Sequence, residues 1–280
     1  MTHTLITLTS DFGLQSQGIG NMKGVIFGIN PDAKVIDLMH GLPDFDIVAG
    51  ARTLETVAFI PCGIHVCVVD PGVGTKRRAI IIKTRRGDYL VGPDNGVLIP
   101  ALRMLGGFEK AVESTNKKYM NASVSHIFHG RDIFSPNAAY LSKGIDVKEF
   151  GKEIKFEDLT PAPYNDAEIK KNEKGQKEIA AEIIQINKFG SVHFNILHKE
   201  WDHFVQKGEI IELKFSENKK IILPNYDTFG EVREGKELII KDDYGRLEAA
   251  INRGNISQKY SLRVGDKCII RKPDQPSASS

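Results

Sequence analysis

Five short polar segments hold most of the side chains in the first half of the chain that could do chemistry. They are Thr9-Ser10-Asp11-Phe12-Gly13, Met39-His40-Gly41, Asp70-Pro71-Gly72-Val73-Gly74, Gly92-Pro93-Asp94-Asn95-Gly96 and Phe128-His129-Gly130-Arg131-Asp132. Carboxylates of this kind accept hydrogen bonds from hydroxyls or water, and an imidazole accepts or donates a proton. The glycines let the backbone turn sharply and let a ligand come close. Taken singly, each segment has an ordinary structural reading. Asp11 can cap the following segment, Asp70 before Pro-Gly can start a turn, and His40-Gly41 can be a turn. His129 can be a core histidine, and Lys76-Arg77-Arg78 can be solvated loop charge. Their shared position points to a ligand site. Four of the five follow strand-like apolar runs at residues 5–8, 34–38, 64–69 and 89–91. In open α/β sheets, ligands bind beyond the carboxyl ends of the strands.

The elements that must place these segments alternate along the chain. Strand-like runs at 5–8, 34–38, 64–69, 79–83 and 89–91 are separated by helical patterns at 20–29, 47–59 and 97–105. Asp46 is positioned to cap the second helix and Asn95 the third. Continuous Val/Ile/Leu strands between amphipathic helices predict an α/β N-terminal domain with a mostly parallel sheet. Residues 157–177 are polar, charged and Pro-containing, and read as a linker. Beyond them come short apolar runs at 179–186, 193–196, 210–215, 221–223, 238–241, 247–251 and 267–271, with no long helix. That pattern predicts an all-β, barrel-like C-terminal domain. The expected organisation is an α/β domain over 1–156 carrying the catalytic loops, a linker over 157–177, a small β-barrel over 178–274 and a disordered tail over 275–280.

Composition excludes several functional classes. Lys plus Arg number 38 against 36 Asp plus Glu, a balance that gives no basis for a nucleic-acid or anionic-membrane partner. No apolar run approaches the length of a membrane span, and the first ten residues lack a signal-peptide pattern. The three cysteines, Cys62, Cys67 and Cys268, lie in apolar runs and read as free thiols in a reducing, cytoplasmic compartment. Gly72-Val73-Gly74 lacks the ending of a phosphate loop, and Gly18-Ile19-Gly20 is weak as a dinucleotide fingerprint. The acidic loops admit a metal-dependent phosphoesterase, although no His-x-Asp or His-x-x-x-His spacing supports one.

In order and spacing, Thr9-Ser10-Asp11-Phe12-Gly13, Val68-Val69-Asp70-Pro71-Gly72-Val73-Gly74, Pro93-Asp94-Asn95-Gly96 and Phe128-His129-Gly130-Arg131-Asp132 resemble the S-adenosylmethionine hydroxide adenosyltransferases. These enzymes use water to split S-adenosylmethionine into adenosine and methionine, and are relatives of the enzymes that make 5′-fluoro- and 5′-chloro-adenosine. A weaker likeness continues through Phe189-Gly190, Phe229 and Asn252-Arg253-Gly254-Asn255. The resemblance implies an N-terminal α/β domain, a C-terminal β-barrel and a homotrimer with substrate between subunits. It implies catalytic roles for Asp70, Arg77 and His129, with Asp11 on the ribose diol. Asp70 and His129 would take hydrogen bonds from the attacking water, and Arg77 would hold Asp70. Further substrate contacts fall on Phe45, Asn95, Asn187, Ser191, Phe229, Asp243 and Asn255.

The resemblance also implies that no cofactor takes part, because S-adenosylmethionine is itself the substrate. The fluorinating relatives carry Tyr at the Asp70 position and halide-contacting hydroxyl residues near Val73 and Gly130, which argues against halogenation here. The sequence departs from the family at the methionine end: Leu14-Gln15-Ser16-Gln17-Gly18 has no carboxylate. Asn187 stands where Asp is common, and Ser191 where an adenine-binding Asn is usual. Two other readings of the same loops stay open: a metal-dependent phosphoesterase or nucleotidase, and a non-catalytic adenosine-binding protein.

Overall fold

Leu5–Ser10 forms β1, which is buried from Ile6 onward because a strand lies on each side of it. Those neighbours, β2 (Lys34–Met39) and β3 (Ile64–Val68), both run parallel to it. With β4 (Ala79–Thr84), β5 (Tyr89–Pro93), β6 (Phe108–Ser114) and β7 (Gly151–Ile154), they build a seven-stranded sheet in the order β2-β1-β3-β5-β4-β6-β7. The structure, a computed structural model, describes residues 4–273. The chain divides into two units, the first ending at Pro163 and the second beginning at Tyr164.

The first sheet is mixed, which corrects the expectation of a mostly parallel one. The β1–β2, β1–β3 and β3–β5 pairs are parallel; β4–β5, β4–β6 and β6–β7 are antiparallel. The physical reason lies in residues 85–88. A parallel connection needs a crossover of about a dozen residues or more. Here four residues join β4 to β5, with Gly87 at φ 104° and the Thr84 amide bonded to the Asp88 carbonyl at 2.9 Å, so the chain can only form a hairpin.

Among the described residues of this unit, four α-helices accompany the sheet: α1 (Gln17–Ile29), α2 (Ile47–Glu55), α3 (Ala101–Met104) and α4 (Ser135–Ser142). Asp46 caps α2 as expected, its Oδ1 accepting from the Ala49 amide at 2.9 Å. Asn95 does not cap α3. Its Oδ1 accepts from the Val97 amide at 3.2 Å, and the helix begins only after Pro100. Met22 and Ile26 of α1 and Phe134, Ala138 and Ala139 near α4 share one core with Ile6, Leu8, Ile64 and Val66 of the sheet. Burying each large apolar side chain there contributes about 1.5–3 kcal/mol, so the strand ends that bear the polar loops rest on a fixed platform.

The second unit is all-β with a few short helical turns. Its strands are β8 (Glu168–Lys171), β9 (Lys177–Ile186), β10 (Val192–Leu197), β11 (Ile210–Ser216), β12 (Lys219–Pro224), β13 (Glu237–Lys241), β14 (Arg246–Ile251) and β15 (Lys267–Arg271). They follow the order β12-β11-β15-β9-β10-β14-β13, with β8 added onto β9, and neighbouring strands are antiparallel. A bridge from Asn225, just past β12, to Ile239 of β13 nearly closes the sheet into a barrel around Ile183, Phe194, Trp201, Leu213 and Leu247.

Part of the stretch 157–177, read from sequence as a linker, is therefore strand β8. Asn172 makes the hairpin possible: its side-chain oxygen accepts from the Lys174 and Gln176 amides, and Gly175 takes φ 75°. The expected tail at 275–280 lies outside the described residues. Among those residues, no helix is long and apolar enough to cross a membrane.

Candidate active site

Asp70 lies two residues past the end of β3, where its carbonyl accepts from the Val73 amide at 3.2 Å and closes a turn. Gly74 follows at φ 75°, so close to the His126 carbonyl that a Cβ would come within 2.4 Å of that oxygen. Only glycine permits this approach, and it lays the Asp70 loop against the segment leading to His129. Arg77 then returns to the carboxylate. Its Nε donates to Asp70 Oδ1 at 3.0 Å, and its Nη2 donates to Asp70 Oδ2. Nη2 also approaches His129 Nδ1 at 3.0 Å, and Nη1 donates to the Arg78 carbonyl at 3.0 Å. The guanidinium sits 5.5 Å from the Phe134 ring centroid, and the Asp70 and Arg77 side chains are only 5% and 7% exposed.

This geometry sets protonation as well as position. Burial raises the Asp70 carboxyl above its ordinary 3.8, and the Arg77 charge and hydrogen bonds oppose that rise. Burial, followed by the neighbouring Arg77 charge, lowers the His129 imidazole below 6.5 and favours its neutral form. A guanidinium can only donate, so the Arg77 contact makes His129 Nδ1 the acceptor and leaves the ring proton on Nε2. His129 itself stands directly before a π-helical turn, Gly130–Phe134, which continues into α4.

Asp11 occupies the turn after β1. Its Oδ2 accepts from the Phe45 amide at 2.9 Å, with Phe45 in the left-handed region at φ 62°. A chain of hydrogen bonds braces the same turn. The Phe12 amide donates to Ser10 Oγ at 3.3 Å, and Ser10 Oγ meets His40 Nδ1 at 2.7 Å. His40 Nε2 meets Asp37 Oδ1 at 3.1 Å, and the Gly13 amide donates to the His40 carbonyl at 2.8 Å. Asp11, Phe45, Asp70 and His129 line one cleft of about 280 Å³, together with the Val73 and Gly130 positions. Asn95 is not among the lining residues. Its Nδ2 donates to the Val69 carbonyl at 2.9 Å and so holds the backbone next to Asp70.

The second unit has a cleft of its own, about 520 Å³, lined by Phe189, Ser191, Phe229, Glu248 and Asn255 among others. Three of the residues implied by the resemblance, Ser191, Phe229 and Asn255, therefore come together. Asn187 and Asp243 are not on its wall. Asn187 closes the turn beneath it, its Oδ1 accepting from the Phe189 amide at 3.0 Å and the Ser191 amide at 3.1 Å. Asp243 is exposed in the turn between β13 and β14.

The sequence family described as the SAM hydroxide adenosyltransferase N-terminal domain matches residues 6–151, and its C-terminal domain matches residues 181–269. The chain belongs to the SAM hydroxide adenosyltransferase family. A Salinispora tropica protein named (R)-S-adenosyl-L-methionine hydrolase is 34% identical over 273 residues, 95% of this chain and 97% of its own. A Methanocaldococcus jannaschii protein of the same name is 32% identical over 236 residues, covering 81% of this chain and 87% of its own. The crystal structure of an uncharacterized conserved protein from Thermotoga maritima matches with a TM-score of 0.85 at 30% identity, over 95% of this chain and 99% of that one.

Three residues that the sequence did not mark as part of a site belong to the clefts or their supports. Asp44 lines the first cleft, next to Phe45. His40, read from sequence as part of a turn, is 2% exposed and braces the Asp11 loop. Glu248 lines the second cleft, and its only signal in the sequence is a charge inside the apolar run 247–251.

Proposed function

We infer that this protein hydrolyses S-adenosyl-L-methionine to adenosine and L-methionine by in-line attack of water at the ribose C5′. The observation that carries this reading is Arg77 bonded from behind the wall to both Asp70 and His129, which line a cleft that also holds Asp11. The sulfonium makes methionine a neutral leaving group, so the reaction needs an aimed, desolvated water more than a strong base. The water oxygen forms its bond to C5′ while the C5′–S bond breaks, and that electron pair stays on sulfur as the thioether. One water hydrogen points to the Asp70 carboxylate, which takes the proton from the strongly acidic oxonium as it forms. His129 Nε2–H donates to the water's remaining lone pair. Asp11 accepts from the ribose hydroxyls and so fixes where C5′ lies.

The apolar Val73 and Gly130 positions on the same wall offer no hydroxyl to a halide, which supports water as the nucleophile. The reaction proposed here uses no metal or other cofactor. Arg77 supports that view: it claims both Asp70 oxygens and His129 Nδ1, and a guanidinium between them repels a cation. The unpaired Cys62, Cys67 and Cys268 support a cytoplasmic setting, with burial pushing the Cys67 thiol up to about 12. Assembly as a homotrimer with substrate shared between subunits rests on the resemblance, and no nucleic acid or membrane partner is proposed.

The test is chromatography of products after incubation with S-adenosylmethionine, with and without a chelator and with the (R) and (S) sulfonium epimers offered separately, since the relatives are named for the (R) form. Adenosine and methionine should appear in equal amounts, and in oxygen-18 water the label should enter the 5′-hydroxyl. Label missing from that oxygen, or activity abolished by chelator and restored by a divalent ion, overturns the reading.

A further inference from the structure

We propose that Glu248 makes the second cleft selective for a ring carrying an exocyclic amino group, which in the proposed reaction is the 6-amino group of adenine. The inference rests on the functional reading above but concerns a residue that reading does not use. On β14, Leu247, Ala249 and Ile251 enter the barrel core, so alternation puts Glu248 on the outer face. There it lines the cleft, flanked by the half-exposed rings of Phe189 and Phe229, yet Glu248 itself is only 8% exposed. A buried carboxylate normally takes its hydrogen bonds from the protein.

This one finds no donor among the described residues. His193 Nε2 stands 4.0 Å from its Oε2, beyond hydrogen-bond reach. That nitrogen is also committed elsewhere. Asn187 Oδ1 already accepts two backbone amides, so its Nδ2 must be the group that faces His193 Nε2, at 3.4 Å. His193 therefore accepts on Nε2 and donates from Nδ1 to Asp242 Oδ2, at 3.0 Å. The imidazole holds its proton away from Glu248.

The cleft thus offers two exposed aromatic rings and a hydrogen-bond acceptor with no donor. An aromatic heterocycle packs against such rings, and the carboxylate accepts from an N–H at its edge. A 6-oxopurine presents a carbonyl oxygen in place of the amino group, and two acceptors facing each other across a buried contact repel. Sites built around a buried hydrogen bond reject a ligand that cannot make it far more strongly than apolar pockets reject a change of size.

The experiment is calorimetry with adenosine and inosine on the full-length wild type and on Glu248→Gln. The wild type should prefer adenosine by at least about tenfold. In Glu248→Gln the side-chain amide can turn its oxygen or its nitrogen to the ligand, so adenosine should still bind while the preference falls to within about threefold. A preference unchanged in a Glu248→Gln protein of normal melting temperature overturns the inference. If that variant does not fold, the wild type decides alone. N6-methyladenosine, which keeps one N–H, should bind much as adenosine does, and N6,N6-dimethyladenosine at least about tenfold more weakly; equal binding of the two overturns the inference. The two failures are distinguishable. Wild type that binds no adenosine removes the functional reading as well, whereas adenosine binding with an unmoved preference removes only the role of Glu248.

Discussion

Replacing Arg77 by Ala tests the proposed mechanism at its most connected point. From sequence, Arg77 is expected only to hold Asp70, so its loss should matter less than loss of either partner. The structure raises that expectation, because the same guanidinium also donates to His129 Nδ1. Arg77→Ala strips a carboxylate whose side chain is 5% exposed of both its guanidinium bonds, and frees the imidazole to place its proton on either nitrogen. Breaking a buried ion pair by removing one partner costs about 3–5 kcal/mol. If about 3 kcal/mol of that is expressed in the transition state, turnover falls on the order of a hundredfold.

Acidity should change with it. Burial already raises Asp70, and Arg77 is the largest opposing influence, so its removal moves the acid limb of the rate profile to higher pH. Stability carries the same signature. At neutral pH the variant buries an unpaired carboxylate; at acid pH that carboxyl is protonated in both proteins and no longer needs a cation. His129 acts in the same direction: its lowered value costs the wild type stability as pH falls below 6.5, and removing Arg77 relieves part of that cost. The melting-temperature gap between wild type and Arg77→Ala should therefore narrow on acidification. The assay is kcat and KM from adenosine release across pH, beside thermal melts at the same pH values. A variant within about threefold of wild-type kcat, with the acid limb unmoved, would refute the joint role given to Arg77.

Asp70→Ala and His129→Ala should each lower kcat on the order of a hundredfold or more, with adenosine affinity by calorimetry largely kept, because they aim water and do not grip ribose. Wild-type activity should hold steady above pH 6.5 as far as His129 is concerned and decline below it as the imidazole takes a second proton; an acid limb that survives unchanged in His129→Gln contradicts that assignment. Asp11→Ala should weaken adenosine binding by about 2–4 kcal/mol, the scale of charge-assisted hydrogen bonds lost from a cleft, and unchanged affinity counts against the ribose role. Light scattering should find a homotrimer; an active monomer removes the proposal of a shared site.

Four of the five polar loops were legible in the sequence because each follows an apolar run, and strand ends are where chain direction must change. Asp11, Asp70 and His129 do reach one cleft, since β1 and β3 are neighbours and the helix after His129 packs on the same sheet. Strand direction was less legible. An apolar run looks alike in a parallel and an antiparallel pair, and only the brevity of residues 85–88 marks the reversal at β4. The polar stretch 157–177 hid β8 for a related reason: an edge strand exposed on both faces carries no alternation to read, as Glu168–Lys171 shows. His40, Glu248 and the second bond of Arg77 depend on side chains meeting across tens of residues, as in the 52-residue separation of Arg77 from His129. No local pattern encodes such meetings.

In the proposed reaction, binding and chemistry would draw on separate hydrogen-bond systems of the first unit. Asp11 is held through the Phe45 amide, while the Ser10–His40–Asp37 chain braces its turn from β1 and β2. Asp70 and His129 are held through Arg77, on loops that follow β3 and precede α4. The two systems meet at the cleft and share no hydrogen bond. That separation suits a reaction whose leaving group needs no help. The ribose system has only to keep C5′ still, and the Arg77 system has only to keep one water in line with the C5′–S bond, so neither needs a group of unusual basicity. A single guanidinium suffices to set the second system. Because it can only donate, it leaves His129 Nε2–H as a donor, and on the proposed mechanism Asp70 is then the acceptor of the water's proton, which divides the labour between two groups that the sequence alone left interchangeable.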